Sequence, residues 1–87
     1  MLIGHSVDHR PIVATRVGDP AAQVRVLVVG DVHGNERAGE RIVARLRRAH
    51  PQGAQLWLIR SANPDGAAAG TRQNARGADL NHNFPYR

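Results

Sequence analysis

The stretch "VVGDVHGNERAG", Val28 to Gly39, sets an imidazole and a carboxylate three residues apart, His33 and Glu36, after an apolar run and before a helical pattern. A histidine nitrogen and a carboxylate oxygen are both zinc ligands, at about 2.0 to 2.2 Å. On a loop that leaves a strand and enters a helix, the two can converge on one point, and Gly34 lets the backbone turn between them. The same spacing also describes a surface histidine followed by a first-turn glutamate that complements the helix dipole, and such pairs recur by chance. With no cysteine in the 87 residues, disulfides and thiolate ligands are excluded, so any metal centre here is built from nitrogen and oxygen.

The elements that must position this pair follow from hydrophobic patterning. "LIGHSVDHRPIVATRVG" holds two β-prone runs, Leu2 to Val7 and Ile12 to Val17, joined by a turn-like "DHRP", which predicts an antiparallel hairpin. Val24 to Gly30, "VRVLVVG", is almost continuously apolar and predicts a strand buried on both faces at the centre of the sheet. From Asn35 to His50, Ile42, Val43, Leu46 and Ala49 recur at helical spacing opposite Arg37, Arg41, Arg45 and Arg48. Asn35 is the expected N-cap, and Pro51 with Gly53 stops the helix. "AQLWLIRSA" predicts a further strand, parallel to the previous one through a right-handed crossover, ending in a turn at "NPDG".

From Ala67 onward no core-forming period is visible. The expected fold is therefore α/β with a partial mixed sheet: a hairpin over about 1–18, a strand-helix-strand unit over 24–62 and a long loop over 63–87, in one domain spanning 1–87. Both strands of the parallel unit exit at the carboxyl edge of the sheet, where open α/β folds bind ligands. His33, Glu36 and the "NPDG" loop should share that rim. His82 is expected near it, whereas His5 and His9 belong to the hairpin and His50 to the far end of the helix.

Composition sets further bounds. The only aromatic residues are Trp57, Phe84 and Tyr86, so the core must be built from Val, Leu, Ile and Ala, and a chain this short buries a modest share of its surface. The formal charge is +5 and all 12 basic residues are arginine, a pattern that a GC-rich coding bias also produces. No run approaches the ~18 apolar residues of a membrane span, and the opening lacks a basic start followed by a long apolar core. The expectation is a soluble, cytoplasmic chain without a membrane partner. An arginine-lined helix without a binding module or aromatic platform is usually solvated, so nucleic acid is not expected as a partner.

Three ordered segments resemble the zinc carboxypeptidase family. "GHSVDHRPI" is similar to its opening hairpin "G-x-S-x-x-G-R-P-I", "HGNERAG" to its first metal motif, and "TRQNARGADLNHNFP" to its "R-x-N-x-x-G-x-D-L-N-R-N-F-P" with one change. The resemblance implies His33 and Glu36 as zinc ligands, Arg72 as the guanidinium facing the oxyanion of a tetrahedral intermediate, and Asn81 as a holder of the substrate's terminal carboxylate. At the following position His82 stands where the family has arginine, and an imidazole cannot reproduce a bidentate clamp on a carboxylate. Asp79 reads as an acceptor that orders the loop, and Arg76 receives no role.

The implied activity is zinc-dependent hydrolysis of a peptide or amide bond, with bacterial enzymes acting on cell-wall peptides as the subclass that "NARGADLNHNFP" looks closest to. The family's third zinc ligand and general-base glutamate lie beyond Arg87, which implies the N-terminal part of a catalytic domain, inactive or nearly so alone. Two other readings stand beside it. One is an N-acyl amino acid deacylase of the succinylglutamate desuccinylase and aspartoacylase branch, which uses a similar "HGNE" motif. The other is a non-catalytic fold fragment that self-associates through uncovered sheet edges, so a homo-oligomer is expected.

Overall fold

The computed structural model describes residues 1–85; Tyr86 and Arg87, the end of the expected loop, lie outside the described residues. The elements run β1 (Leu2–His5), β2 (Pro11–Gly18), β3 (Val24–Val29), α1 (Ala38–Leu46), β4 (Ala54–Ile59) and α2 (Pro64–Ala69), followed by a 3₁₀ turn at Leu80–His82. One mixed sheet results, in the order β1-β2-β4-β3. β1 pairs antiparallel with β2 across a bulge between Leu2 and Gly4, β2 pairs antiparallel with β4, and β3 pairs parallel with β4. The hairpin and the parallel strand-helix-strand unit are as the sequence pattern predicts.

The central strand is not the expected one. β4 takes that place between β2 and β3, while β3 has no partner on its outer side among the described residues. Its side chains are accordingly open to solvent, Leu27 at 63% and Val24 at 58%, instead of buried on both faces. A continuous apolar run reports β preference and hydrophobicity, but it does not say which neighbours are there to cover it.

α1 begins at Ala38, three residues after the expected Asn35, and its N-cap Arg37 makes no side-chain cap bond. The preceding turn is closed instead by Glu36 N–H donating to the His33 carbonyl at 3.0 Å. Glu36 therefore stands on the loop ahead of the helix and not in its first turn. "NPDG" also differs from expectation: it opens α2, with the Asn63 side chain accepting from Gly66 N–H, Pro64 at the first helical position and Gly70 in the left-handed conformation (φ 70°) at the end. Asn as N-cap and Pro at N1 are helix-start signals as much as turn signals.

α1 lies over β3 and β4. The buried apolar centre among the described residues is small, Ala14 from β2, Val43 from α1 and Leu58 from β4. Leu58 is 1% exposed on the central strand, so Leu58→Ala is expected to cost about 2 to 5 kcal/mol through lost transfer energy and the cavity left behind, read as a shift in urea midpoint. A folded chain of 9.4 kDa exposes about 5,000 Å² by size scaling. This one exposes 6192 Å², and its extents of 40 × 27 × 21 Å are elongated. Exposed apolar residues of β3 and the hairpin contribute to it. No helix among the described residues is long and apolar enough to cross a membrane.

Candidate metal and substrate site

β3 and β4 run parallel, so the chain leaves both at the same edge of the sheet, as the crossover requires. From β3 it passes through Gly30 and Asp31 to His33 and Glu36; from β4 it reaches Asn63 and α2. Gly30 ties the two exits together, its N–H donating to the Ile59 carbonyl and its carbonyl accepting from Ala62 N–H, both at 2.8 Å.

The two loops then pack backbone against backbone. A Cβ built on Gly34 would fall on the carbonyl carbon of Gly66, with Ala67 N and Gly66 Cα at 2.5 Å. Glycine at 34 is thus required by close approach, because the obstructing atoms belong to the first turn of α2 and cannot swing aside as a side chain could. That turn is itself anchored: Asp65, buried, accepts from Ser6 Oγ at 2.6 Å, Asp8 N–H at 3.0 Å and Arg10 Nη1 at 2.9 Å. Burial alone would raise the Asp65 pKa, but these three donors lower it below the usual carboxylate range. The hairpin segment "GHSVDHRP" thereby acquires a physical task, which is to clamp the turn on which the "HGNE" loop rests.

The site residues converge on Asp79. His33 Nδ1 lies 2.9 Å from Glu36 Oε2, and His33 Nε2 lies 2.9 Å from Asp79 Oδ1. Arg72 Nε donates to Asp79 Oδ2 at 2.9 Å, and Asn81 N–H donates to Oδ1 at 3.0 Å, making Asp79 the cap of the 3₁₀ turn. His82 Nε2 stands 3.7 Å from Oδ2 on a largely exposed side chain. The structure thus brings His33, Glu36, Arg72 and His82 together, whereas Asn81 joins through its backbone and is exposed. Asp79 does order the loop, as the sequence reading has it; its bond to the imidazole 46 residues away is what that reading missed. The available signal was chemical: a metal-binding histidine almost always donates its second ring nitrogen to a carboxylate, carbonyl or water.

Charge follows geometry. The Glu36 bond first, and then the Asp79 bond, raise the His33 pKa, because both carboxylates favour the imidazolium. Partial burial pushes Asp79 up, but the bonds from His33, Arg72 and Asn81 N–H outweigh it and hold the carboxyl at about 2. Asp79 is consequently ionised at neutral pH and fixes both the imidazole and the guanidinium.

Among the described residues no three His, Asp or Glu side chains gather to hold a metal. The two that face each other nevertheless fit part of a zinc shell. Ligand atoms in a tetrahedral zinc site are roughly 3.3 Å apart, within a few tenths of an ångström of the 2.9 Å between His33 Nδ1 and Glu36 Oε2. The Nε2 to Asp79 contact supplies the orienting carboxylate such a ligand uses.

The sequence profile of the zinc carboxypeptidase family matches residues 1–87. Carboxypeptidase SOL1 of Arabidopsis thaliana is 31% identical over 100 residues, covering 95% of this chain and 20% of its own length. Murein peptide amidase A of Escherichia coli (strain K12) is 37% identical over 60 residues, covering 68% of this chain and 25% of its own. Among solved structures, a succinylglutamate desuccinylase/aspartoacylase from Rhodobacter sphaeroides superposes with a TM-score of 0.74 at 30% identity, covering 90% of this chain and 25% of that one. The chain spans a fifth to a quarter of the length of these relatives. With the profile matched from end to end, the chain belongs to the zinc carboxypeptidase family.

Proposed function

We propose that these residues form part of a zinc-dependent centre that hydrolyses a peptide or amide bond, with His33 and Glu36 as zinc ligands and Arg72 as the cation for the developing oxyanion. Zinc, when bound, supplies Lewis-acid polarisation of the scissile carbonyl. The observation that carries the reading is the single carboxylate of Asp79, which accepts from His33 Nε2 on one oxygen and from Arg72 Nε on the other. One side chain thereby fixes a metal ligand and a charge stabiliser in one frame, and such fixed charge is what an oxyanion needs. Asn81 and His82 adjoin the same carboxylate and are assigned to the substrate's carboxylate end. A single imidazole there predicts weaker recognition of a terminal carboxylate than a guanidinium would give.

Among the described residues this reading assigns two zinc ligands and no general base at the site, so the chain alone is assigned little or no activity. Relatives such as murein peptide amidase A point to a peptide substrate, and its printed name makes cell-wall peptides the first class to test. The desuccinylase/aspartoacylase likeness supports a second reading, a deacylase of small N-acyl amino acids. Hydrolysis of an N-acyl amino acid in preference to a peptide by a longer chain carrying this segment would favour it.

The open edge of β3, with Val24, Val26, Leu27 and Val29 exposed, supports a homo-oligomer for the 87-residue chain. A monodisperse monomer in solution would sink that assignment. We place the chain in the cytoplasm, a location that a cysteine-free composition suits.

Native mass spectrometry after zinc addition tests ligation and assembly together. The expected result is zinc retained in fixed ratio by the wild type and lost in His33→Ala; equal zinc content in both would remove His33 from the metal site. Asp79→Asn keeps the shape of the side chain but loses the charge, and it is expected to weaken zinc binding about 10- to 100-fold in a chelator competition. Affinity unchanged within error would reduce Asp79 to a loop cap.

A further inference from the structure

The strand exit that carries His33 and the loop that carries Arg72 are held by one buried side chain, Asn63, 3% exposed. Its Oδ1 accepts from Gly66 N–H at 3.0 Å, the N-cap bond of α2. Its Nδ2 faces three carbonyls: Gln73 at 3.1 Å, and Arg72 and Val32 at 3.4 Å. An amide nitrogen has two hydrogens, so it serves the three as a shared donor. Val32 immediately precedes His33, and Arg72 supplies both the carbonyl and the guanidinium.

Asp79 joins the side chains of His33 and Arg72, whereas Asn63 joins the backbones that carry them. The geometry leaves no slack around the amide, since a Cβ on Gly66 would strike Asn63 Nδ2 and lie 2.6 Å from the Gln73 carbonyl. We infer that Asn63 is a positioning residue, whose amide N–H groups set the His33 strap and the Arg72 loop in one register so that both side chains meet Asp79. The inference rests on the proposed roles of His33 and Arg72 for its bearing on hydrolysis, but the register itself is a property of the metal-free chain. A role limited to capping α2 would require Oδ1 alone.

Two substitutions separate these roles. Asn63→Asp keeps an acceptor for Gly66 N–H in the same volume and deletes both donors; Asn63→Ser keeps a shorter cap without introducing a charge. In the 87-residue chain, ¹H–¹⁵N NMR reads the Arg72 Nε–H that bonds to Asp79, thermal melting reads the fold, and competition against a chelator reads zinc affinity. The expected result is a folded variant in which exchange of the Arg72 Nε–H with water rises several-fold and zinc affinity falls by about tenfold, the size typical of lost orientation at a metal ligand.

A folded variant with wild-type Nε–H exchange and wild-type zinc affinity would overturn the assignment and leave Asn63 as a cap. Unfolding of both variants would also overturn it, by showing a general stability role. If the wild type itself takes up no zinc, the metal reading fails, while the Arg72 exchange comparison still decides the role of Asn63.

Discussion

Replacing Gly34 with alanine should cost about 3 kcal/mol or more of stability, at the upper end of overpacking effects, and should abolish zinc retention by any molecules that remain folded. The added methyl would land on the Gly66 carbonyl carbon, 2.5 Å from Ala67 N and Gly66 Cα. Relief by movement of α2 is opposed on both sides. Asp65 ties the first turn of that helix to Ser6, Asp8 and Arg10, and Asn63 ties it to the strand exit. The "HGNE" loop must therefore withdraw, and His33 Nε2 leaves Asp79 as it does so. Gly4→Ala is the control, because nothing lies within 4 Å of a Cβ there, and a change within about 0.5 kcal/mol is expected. Urea denaturation with and without zinc checks both variants; a Gly34→Ala protein as stable as Gly4→Ala would show that the two loops are not in fixed contact.

Most of the secondary structure is legible locally because each strand is a compact hydrophobic run and α1 an amphipathic one. Its order is less so. Leu56, Trp57 and Leu58 look no more central than Val26, Leu27 and Val28, yet β4 gains partners on both sides because the hairpin returns to it, with Thr15 opposite Leu58 and Arg16 opposite Trp57. That pairing spans some forty residues and has no local signature. The start of α1 is misplaced for a related reason: Asn35 is a good cap by type, but the His33 to Glu36 turn already consumes the backbone that a cap would serve.

The candidate site shows the same division. His33, Glu36 and Arg72 are recognisable from residue type and motif spacing, since those chemistries belong to short segments. The residues that join the segments are not. Asp79 reads as a loop acceptor until the fold brings His33 to it, and Asn63 reads as part of a turn until its amide is seen among the Val32, Arg72 and Gln73 carbonyls. Bridging roles of this kind depend on which loops leave the same sheet edge, and so on topology.

A second large effect concerns Asp31, where the chain leaves β3. It is 4% exposed, adopts a left-handed backbone (φ 55°), and neither carboxyl oxygen accepts a hydrogen bond. Beside it, Glu40 is engaged by Arg37 Nε and by Arg60 Nη2, each at 2.6 Å. Burial first, and then the neighbouring Glu40, push the Asp31 carboxyl up to about 6, while Glu40 is held at about 2 by Arg37, with help from the Asp31 carboxyl and Arg60.

Because the folded value for Asp31 lies above its unfolded value near 3.9, the folded state binds this proton more tightly. The corresponding stability is fully present below the unfolded value and is lost as pH rises through about 6. At pH 7.5 the ionised carboxylate is thus a net burden, and Asp31→Asn removes it: an amide cannot ionise, offers N–H donors towards Glu40 and tolerates the left-handed backbone. The variant should be more stable than the wild type by roughly 2 kcal/mol at pH 7.5, with the advantage fading by pH 4. Urea midpoints at the two pH values decide it. A gain of equal size at both would trace the effect to the backbone and not to the proton, and a loss at pH 7.5 would mean that the carboxylate has a partner worth more than the burial it costs.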